Sequence, residues 1–179
     1  MGRRRRQERK EDRSGGGSGK NRYQMREKLV SIGDDFWIEN AQGQKTFKVD
    51  GKALRVRQTL KFEDAHGNEL CKIQERKLHV KDTMEVEDAH GHQVAMVKKA
   101  LVSPVRDRFT VKIKDGQDLE VKGNILDHEY SIGEGHHKVA EISKKWFRVR
   151  DSYGVEIEPG QEDIVILAVT VCIDQMAHD

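Results

Sequence analysis

Residues 164–173, IVILAVTVCI, form an uncharged and almost wholly apolar run in a chain whose residues are 36% charged. Glu162 and Asp163 precede this run, and Asp174 follows it. A helix that spans a membrane needs about 20 apolar residues, about twice the length of this run. We therefore expect no transmembrane segment here, and we expect the run to be buried inside the fold as a strand or a helix.

Local preferences leave both conformations open for residues 164–173. Seven of these residues are β-branched, which favours a buried strand. The run is long for such a strand, however, and Pro159-Gly160 followed by two acids is typical of a helix start. A helix that is apolar on every face must be buried on all sides. The run alone does not decide between the two.

A repeated turn motif organises the earlier part of the chain. Residues 38–43, 62–67 and 86–91 resemble one another, and their last residues, Gly43, Gly67 and Gly91, follow at intervals of 24 residues. Each copy joins an Asn or Asp to a glycine, a combination that allows a tight chain reversal. A period of this length fits two strands and two connections. Residues 115–116, 134–135 and 151–154 are interpreted as later copies of the turn.

Short alternating segments, such as residues 109–114, predict ten to twelve mostly antiparallel strands, each with one apolar face. These faces need apolar cover, and residues 164–173 are the densest apolar segment available. If the sheet closes into a barrel, a lone strand inside it would leave its backbone groups unpaired. A helix satisfies its own hydrogen bonds, so this reasoning favours a helix.

The C-terminal residues 151–157, 159–163 and 164–175 resemble the end of the LURP-one-related family, which shares the Tubby C-terminal-like fold. Residues 50–54, 62–67 and 76–78 agree with it, and the resemblance covers about residues 23–176. It implies a mainly β fold, a closed barrel of about twelve mostly antiparallel strands around a central hydrophobic C-terminal helix at about 162–176. The barrel domain is expected at 22–179, with core helix residues Ile164, Leu167, Ala168, Val171 and Cys172.

The resemblance also carries expectations about function. The family has no well-established enzyme activity that the resemblance could imply for this chain. The wider fold includes Tubby proteins, which bind phosphoinositides, and phospholipid scramblases. No residue-by-residue match to the Tubby lipid site exists, so no site residues are carried over. We expect a non-enzymatic binding module, without a cofactor, for anionic phospholipid or a protein partner at a membrane surface. We further expect a monomer in the cytoplasm that can associate peripherally with a membrane.

Residues 1–21 differ in composition from the rest of the chain. The first 20 residues hold eight Lys/Arg and three Asp/Glu, a net charge of +5, together with a Gly/Ser-rich stretch. We expect a disordered basic arm. An alternative function is a nucleic-acid-associated or regulatory protein that acts through this arm. It is less favoured, because the body lacks aromatic residues interleaved with basic ones. A second alternative is an enzyme with an unrecognised site.

Basic residues of the body are the candidates for ligand binding. Arg76, Lys77, Lys98 and Lys99 would converge if consecutive hairpins pair, which predicts an anion-binding patch. No metal site is predicted, because the histidine pair His90 and His92 is interpreted as exposed turn residues.

Two further residue types are given structural roles. Asp64 and Asp88 occupy matching turn positions, where Asp shapes the backbone, so they are not interpreted as catalytic carboxylates. Cys71 and Cys172 form no disulfide framework, and Cys172 is expected to be a small buried residue.

Overall fold

The structure is a computed structural model that describes residues 19–26, 35–50, 59–75, 82–103, 106–147 and 150–178. Twelve strands precede one α-helix, α1 (Asp163–His178), and a 3₁₀ turn, Lys144–Trp146, lies before the last strand. The strands are β1 (Asn21–Arg26), β2 (Phe36–Asn40), β3 (Lys45–Asp50), β4 (Thr59–Asp64), β5 (Glu69–Glu75), β6 (Thr83–Asp88), β7 (Gln93–Ser103), β8 (Arg106–Ile113), β9 (Asp118–Asn124), β10 (Glu129–Glu134), β11 (His137–Ser143) and β12 (Ser152–Ile157).

All twelve strands form one closed antiparallel barrel. Each strand pairs with its neighbours in sequence, and β1 pairs with β12 to close the ring, with Tyr23 opposite Val155. Closure leaves no free sheet edge, which removes the usual template for aggregation. The predicted mainly β fold, a closed barrel with a C-terminal helix, is therefore confirmed.

The repeated motif forms the turns at one end of the barrel, which we name the turn end. Backbone amides two and four residues further along the chain bond to the first side-chain oxygen of Asn40, Asp64 and Asp88. Gly43, Gly67 and Gly91 have φ values of 76°, 87° and 83°, a left-handed conformation that costs glycine little. The predicted structural role of Asp64 and Asp88 is confirmed.

The repeat also includes a bulge in each of these hairpins. The strand register shifts between Ile38 and Glu39, between Phe62 and Glu63, and between Val86 and Glu87. A bulge bends its strand and increases the local twist, and a sheet needs both to close into a barrel. The 24-residue period therefore specifies curvature as well as chain reversal.

Among the later copies of the turn, residues 134–135 form the predicted turn, with Gly135 at a φ of 55°, and the other two depart from the sequence interpretation. In the fourth turn Asp115, not the following glycine, takes the positive φ, of 56°. The interpretation of residues 151–154 as a turn is wrong beyond Asp151, because Gly154 lies inside β12. A Cβ atom at Gly154 would lie 2.8 Å from ring atoms of Trp146 and Phe147. Glycine at this position therefore lets two aromatic rings cover the outside of the strand.

Helix α1 fills the interior of the barrel. Leu167, Ala168, Val171 and Cys172 are fully buried, and Ile164 is partly buried at the start of the helix. The helix packs against β5, β6, β7, β8 and β12. Its buried hydroxyl, on Thr170, donates to the Ile166 carbonyl at 2.9 Å, so the β-branched content leaves no unpaired hydroxyl inside the helix.

The first turn of α1 is fixed to the first strand. Asp163 Oδ2 accepts hydrogen bonds from Asn21 Nδ2 at 2.7 Å and from the Tyr23 hydroxyl at 2.6 Å. Burial, together with the hydrogen bond to Asp163, raises the pKa of Tyr23 above its usual value. Asp163 also lies near the positive end of the helix dipole, where a carboxylate is stabilised.

Both cysteines belong to the core. Cys71 on β5 and Cys172 on α1 are buried and free. Burial raises the pKa of the Cys71 thiol to about 12, and it raises the pKa of the Cys172 thiol above its usual value as well. Cys172 is therefore a small, protonated core residue, as predicted.

Residues 1–18 of the predicted arm lie outside the described residues, so the arm stays a prediction. The barrel begins with β1 at Asn21, and Lys20 before it forms ion pairs with Glu156 at 3.2 Å and Glu158 at 2.8 Å. Within the described part of the chain, no helix has the length and apolar character needed to cross a membrane.

Substitution of Leu167 by Asp should unfold the domain. The new carboxylate would lie in the fully buried core without a partner, a mechanism that costs about 4–5 kcal/mol or more. Leu126→Asp is a matched control, because that leucine is 62% exposed, and it should change stability by less than about 0.5 kcal/mol. Circular dichroism during urea denaturation measures both. A folded Leu167→Asp protein with unchanged stability would contradict burial of α1.

Candidate functional site

The last turn of α1 reaches the other end of the barrel, which we name the exit end. Here the odd-numbered strands finish, and the connections to the even-numbered strands begin. The β9–β10 connection brings His128 over the end of the helix. A polar cluster of His128, Tyr130, Asp174 and His178, which we call the exit cluster, occupies this end.

A buried histidine–aspartate pair forms the centre of the exit cluster. His128 Nε2 lies 2.6 Å from Asp174 Oδ1, and the two side chains are only 3% and 5% exposed. A buried carboxylate is costly unless it has a close polar partner. In the described part of the chain, the ion-pair partners of Asp174 are two histidines, His128 and His178.

His178 completes the cluster from the solvent side. Its Nδ1 lies 2.8 Å from the Asp174 carbonyl oxygen and 3.5 Å from Asp174 Oδ1, and its side chain is 43% exposed. The His128 ring stacks between Tyr153, at a centroid distance of 4.3 Å, and His178, at 5.5 Å. The cluster therefore contains one ring held in the interior and one ring open to solvent.

Tyr130 on β10 adds a buried hydroxyl to the exit cluster. Burial and the nearby Asp174 carboxylate raise the pKa of Tyr130 well above its usual value. Among the described residues, neither the Tyr130 hydroxyl nor His128 Nδ1 has a hydrogen-bond partner. Buried polar atoms without partners are few in folded proteins, and each one calls for an explanation such as a bound water, an ion or a functional role.

His128 was not recognised from the sequence. It has a φ of 53°, a conformation that histidine adopts more readily than most residues but that remains uncommon. A turn bond from its amide to the Ile125 carbonyl, at 3.1 Å, holds it there. The available sequence signal was the spacing of Asp174 and His178, because residues four apart lie on one face of a helix.

The side chain of Lys99 also reaches the end of the helix. Lys99 Nζ donates to the Met176 carbonyl oxygen at 2.6 Å, so its charge lies at the C-terminal end of α1, where cations are favourable. Lys98, the next residue back on β7, is exposed on the opposite face of the strand. The structure therefore separates the two lysines that the sequence grouped in one patch. Arg76 and Lys77, the other two predicted residues, lie outside the described residues.

Ion pairs are frequent on the outer wall of the barrel. Arg22 pairs with Glu156, and Lys138 pairs with Glu141. Other lysines pair across neighbouring strands or along one strand: Lys48 with Asp35 and Glu63, Lys61 with Glu69, Lys72 with Glu87, Lys112 with Asp118 and Lys122 with Glu120. Such exposed pairs contribute little to stability, but they neutralise the surface locally.

Lys98 and Arg108 depart from this pattern. Both are exposed, and within the described residues neither has an acidic group at ion-pairing distance. The register places Lys98 opposite Thr110 and Ala100 opposite Arg108, so the two cations are diagonal neighbours on β7 and β8. Diagonal neighbours of this kind lie about 7–8 Å apart, within reach of one anion. We call Lys98 and Arg108 the cation pair.

The other histidines flagged by the sequence occupy turns. His90 and His92 are exposed at the turn end, as predicted. His92 Nδ1 lies 3.3 Å from Asp88 Oδ2. The hydrogen bond from the His92 backbone amide contributes most among the contacts that lower the pKa of Asp88. These histidines help to shape a hairpin and lie at the opposite end of the barrel from the exit cluster.

A closed antiparallel barrel that encloses its own C-terminal helix defines the structural class of this protein. Residues 21–174 match the profile of the LURP-one-related family, and the chain belongs to that family. It is 24% identical over 155 residues to an uncharacterised protein of Bacillus subtilis (strain 168), YxjI, with 87% of this chain and 93% of YxjI covered.

A solved structure shows the same fold. It is the X-ray structure of a protein from Arabidopsis thaliana, which superposes with a TM-score of 0.64 at 19% sequence identity. The match covers 89% of this chain and 92% of the plant protein. At this identity the similarity defines the fold alone, so function rests on the residues described above.

The histidine–aspartate pair should stabilise the fold. Asp174→Ala leaves His128 buried without its partner, and breaking such a pair costs about 3–5 kcal/mol. Glu120→Ala removes the partner of Lys122 on the exposed wall, and it should cost less than about 1 kcal/mol. Urea midpoints of the two variants test this difference. Equal, small effects would show that the pair does not tie the helix to the barrel.

Proposed function

We propose that this protein is a non-enzymatic binding module that docks on anionic phospholipid through the outer face of β7 and β8. The cation pair is the observation that carries this proposal. On a wall where many lysines are paired with acids, Lys98 and Arg108 are two neighbouring exposed cations without an acidic partner among the described residues, so their charge is available for an external anion.

The filled interior supports a surface mode of binding. Many barrels hold a ligand inside, but here the inward side chains of the strands meet α1, and residues such as Phe62, Ile73 and Leu167 are fully buried. A ligand is therefore bound on the wall or at an end of the barrel. Phosphate groups suit the wall, because Arg and Lys recognise them through charge and directed hydrogen bonds.

Leu126 favours a membrane over a dissolved anion. It is a large apolar side chain that is 62% exposed, and it lies in the β9–β10 connection at the exit end. This connection follows β9, which is the direct neighbour of β8 in the barrel, and neighbouring strands lie about 5 Å apart. An exposed leucine just after the neighbouring strand β9 can enter the lipid interface while the cations contact headgroups.

Vesicle co-sedimentation tests the proposal. The protein should bind phosphatidylcholine vesicles that contain phosphatidylserine, and binding should weaken as salt is raised, because the Debye length is about 10 Å at 0.1 M. The double variant Lys98→Ala/Arg108→Ala loses two charges worth about 1 kcal/mol each at an anionic surface. Its partition coefficient should fall roughly 30-fold.

The matched control is Lys112→Ala/Lys122→Ala, which changes net charge equally but removes lysines paired with Asp118 and Glu120. It should bind nearly as well as the parent. The comparison is repeated without residues 1–18, so that the basic arm cannot supply the attraction. Equal loss in both double variants, or equal binding to pure phosphatidylcholine, would refute the proposal. Binding lost on removal of the arm alone would instead favour the arm as the anion-binding element.

A further inference from the structure

We propose that His128, Asp174 and His178 of the exit cluster form a binding site for a divalent transition metal, with Zn²⁺ as the best match. One ligand atom from each residue lies within 4.8 Å of the other two. Two imidazole nitrogens and one carboxylate oxygen are a donor set that zinc uses in proteins. Hard cations such as Mg²⁺ and Ca²⁺ prefer oxygen ligands throughout, so the two histidines select against them.

Two of the distances between ligand atoms bracket the distance expected in a zinc site. Ligand atoms around a tetrahedral zinc ion, at about 2.0–2.2 Å from the metal, lie about 3.3 Å from one another. His178 Nδ1 is already 3.5 Å from Asp174 Oδ1. His128 Nε2, at 2.6 Å from the same oxygen, must move back as the metal replaces the proton between them.

The ring of His178 must rotate for a metal ion to bind. Its ring now stacks on His128 with an angle of 14° between the planes, and a metal must lie in the plane of each imidazole that binds it. The side chain is 43% exposed and belongs to the last turn of α1, so its ring can rotate at little cost. The same exposure leaves the fourth metal position open to water, as in zinc sites with three protein ligands.

The electrostatics of Asp174 favour a cation at this place. A buried carboxylate is costly without close polar or charged partners, and in the described part of the chain the ion-pair partners of Asp174 are His128 and His178. Lys99 lies at the same end, and its ammonium group donates to the Met176 carbonyl oxygen. A metal ion held by the three side chains would place a positive charge directly beside this buried carboxylate.

The chain contains an internal comparison for this site. Asp88 and His92 have the same four-residue spacing and a similar contact, with Nδ1 at 3.3 Å from the carboxylate oxygen. That pair lies in an exposed turn, and the described residues offer it no third ligand within the same distance. The exit cluster differs because His128 supplies the third ligand, and its burial and its contacts with Asp174 and Tyr153 already hold that ring in place.

The test is a Zn²⁺ titration of the full chain, followed through the ring nitrogen resonances of the eight histidines. One equivalent should shift the signals of His128 and His178 together, and excess Zn²⁺ should raise the unfolding midpoint by about 5–10 °C. His178→Ala should weaken zinc binding at least about 100-fold, because loss of an outer-shell partner alone costs 10–100-fold. His92→Ala should leave the affinity unchanged.

The variants separate metal binding from folding. His178→Ala keeps the His128–Asp174 pair, and His178→Gln provides a second variant whose amide can still bond to the Asp174 carbonyl without replacing the imidazole. Unchanged zinc affinity in both His178 variants would overturn the proposal, and so would shifts confined to His66, His90 or His92. The lipid-binding experiment uses residues on the outer wall, so either proposal can fail without the other.

Discussion

The interior of a closed barrel accepts only a segment whose backbone hydrogen bonds are already satisfied. The backbone hydrogen bonds of the barrel run between neighbouring strands along its wall, so the strands offer no backbone partners to an extended chain in the middle. Helix α1 meets this requirement, although its sequence is rich in residues that favour strands. Tertiary burial therefore decides the conformation of residues 164–173 over local preference, and the strands depend on this helix for their apolar cover.

Contacts at both ends fix the position of the helix along the barrel. At the turn end Asp163 accepts hydrogen bonds from Asn21 and Tyr23, and at the exit end Asp174 meets His128. Hydrophobic contacts alone do little to fix the position of an apolar helix along the axis of an apolar barrel interior. A shift of the helix along that axis exchanges one hydrophobic contact for another. Directional polar contacts fix the position of the helix along the barrel axis. The two acids that bound the apolar run therefore position the helix, and Asp174 does so while nearly fully buried.

Some of this structure follows from the sequence, and some depends on contacts that sequence patterns do not encode. The repeated turn, including Asp64 and Gly67, follows from local chemistry, since its hydrogen bonds join residues at most four apart. The helical conformation of residues 164–173 could be predicted from the need to satisfy backbone hydrogen bonds inside a barrel and from the family resemblance. The role of His128 could not, because its partner Asp174 is 46 residues away and only the closed barrel brings them together. Lys98 and Lys99 were grouped by sequence, but alternation along a strand sends them to opposite faces.

Residue-resolved hydrogen exchange tests most directly whether α1 is an inseparable core of the barrel. Amides of residues 167–173 should exchange only through global unfolding, with the same opening free energy and denaturant dependence as those of β5, β6 and β7. Ring closure and helix burial are then one cooperative event. Exchange of the helix amides at a clearly lower free energy than the strands would show that α1 can leave a barrel that stays closed, and it would contradict the structural role given to the helix.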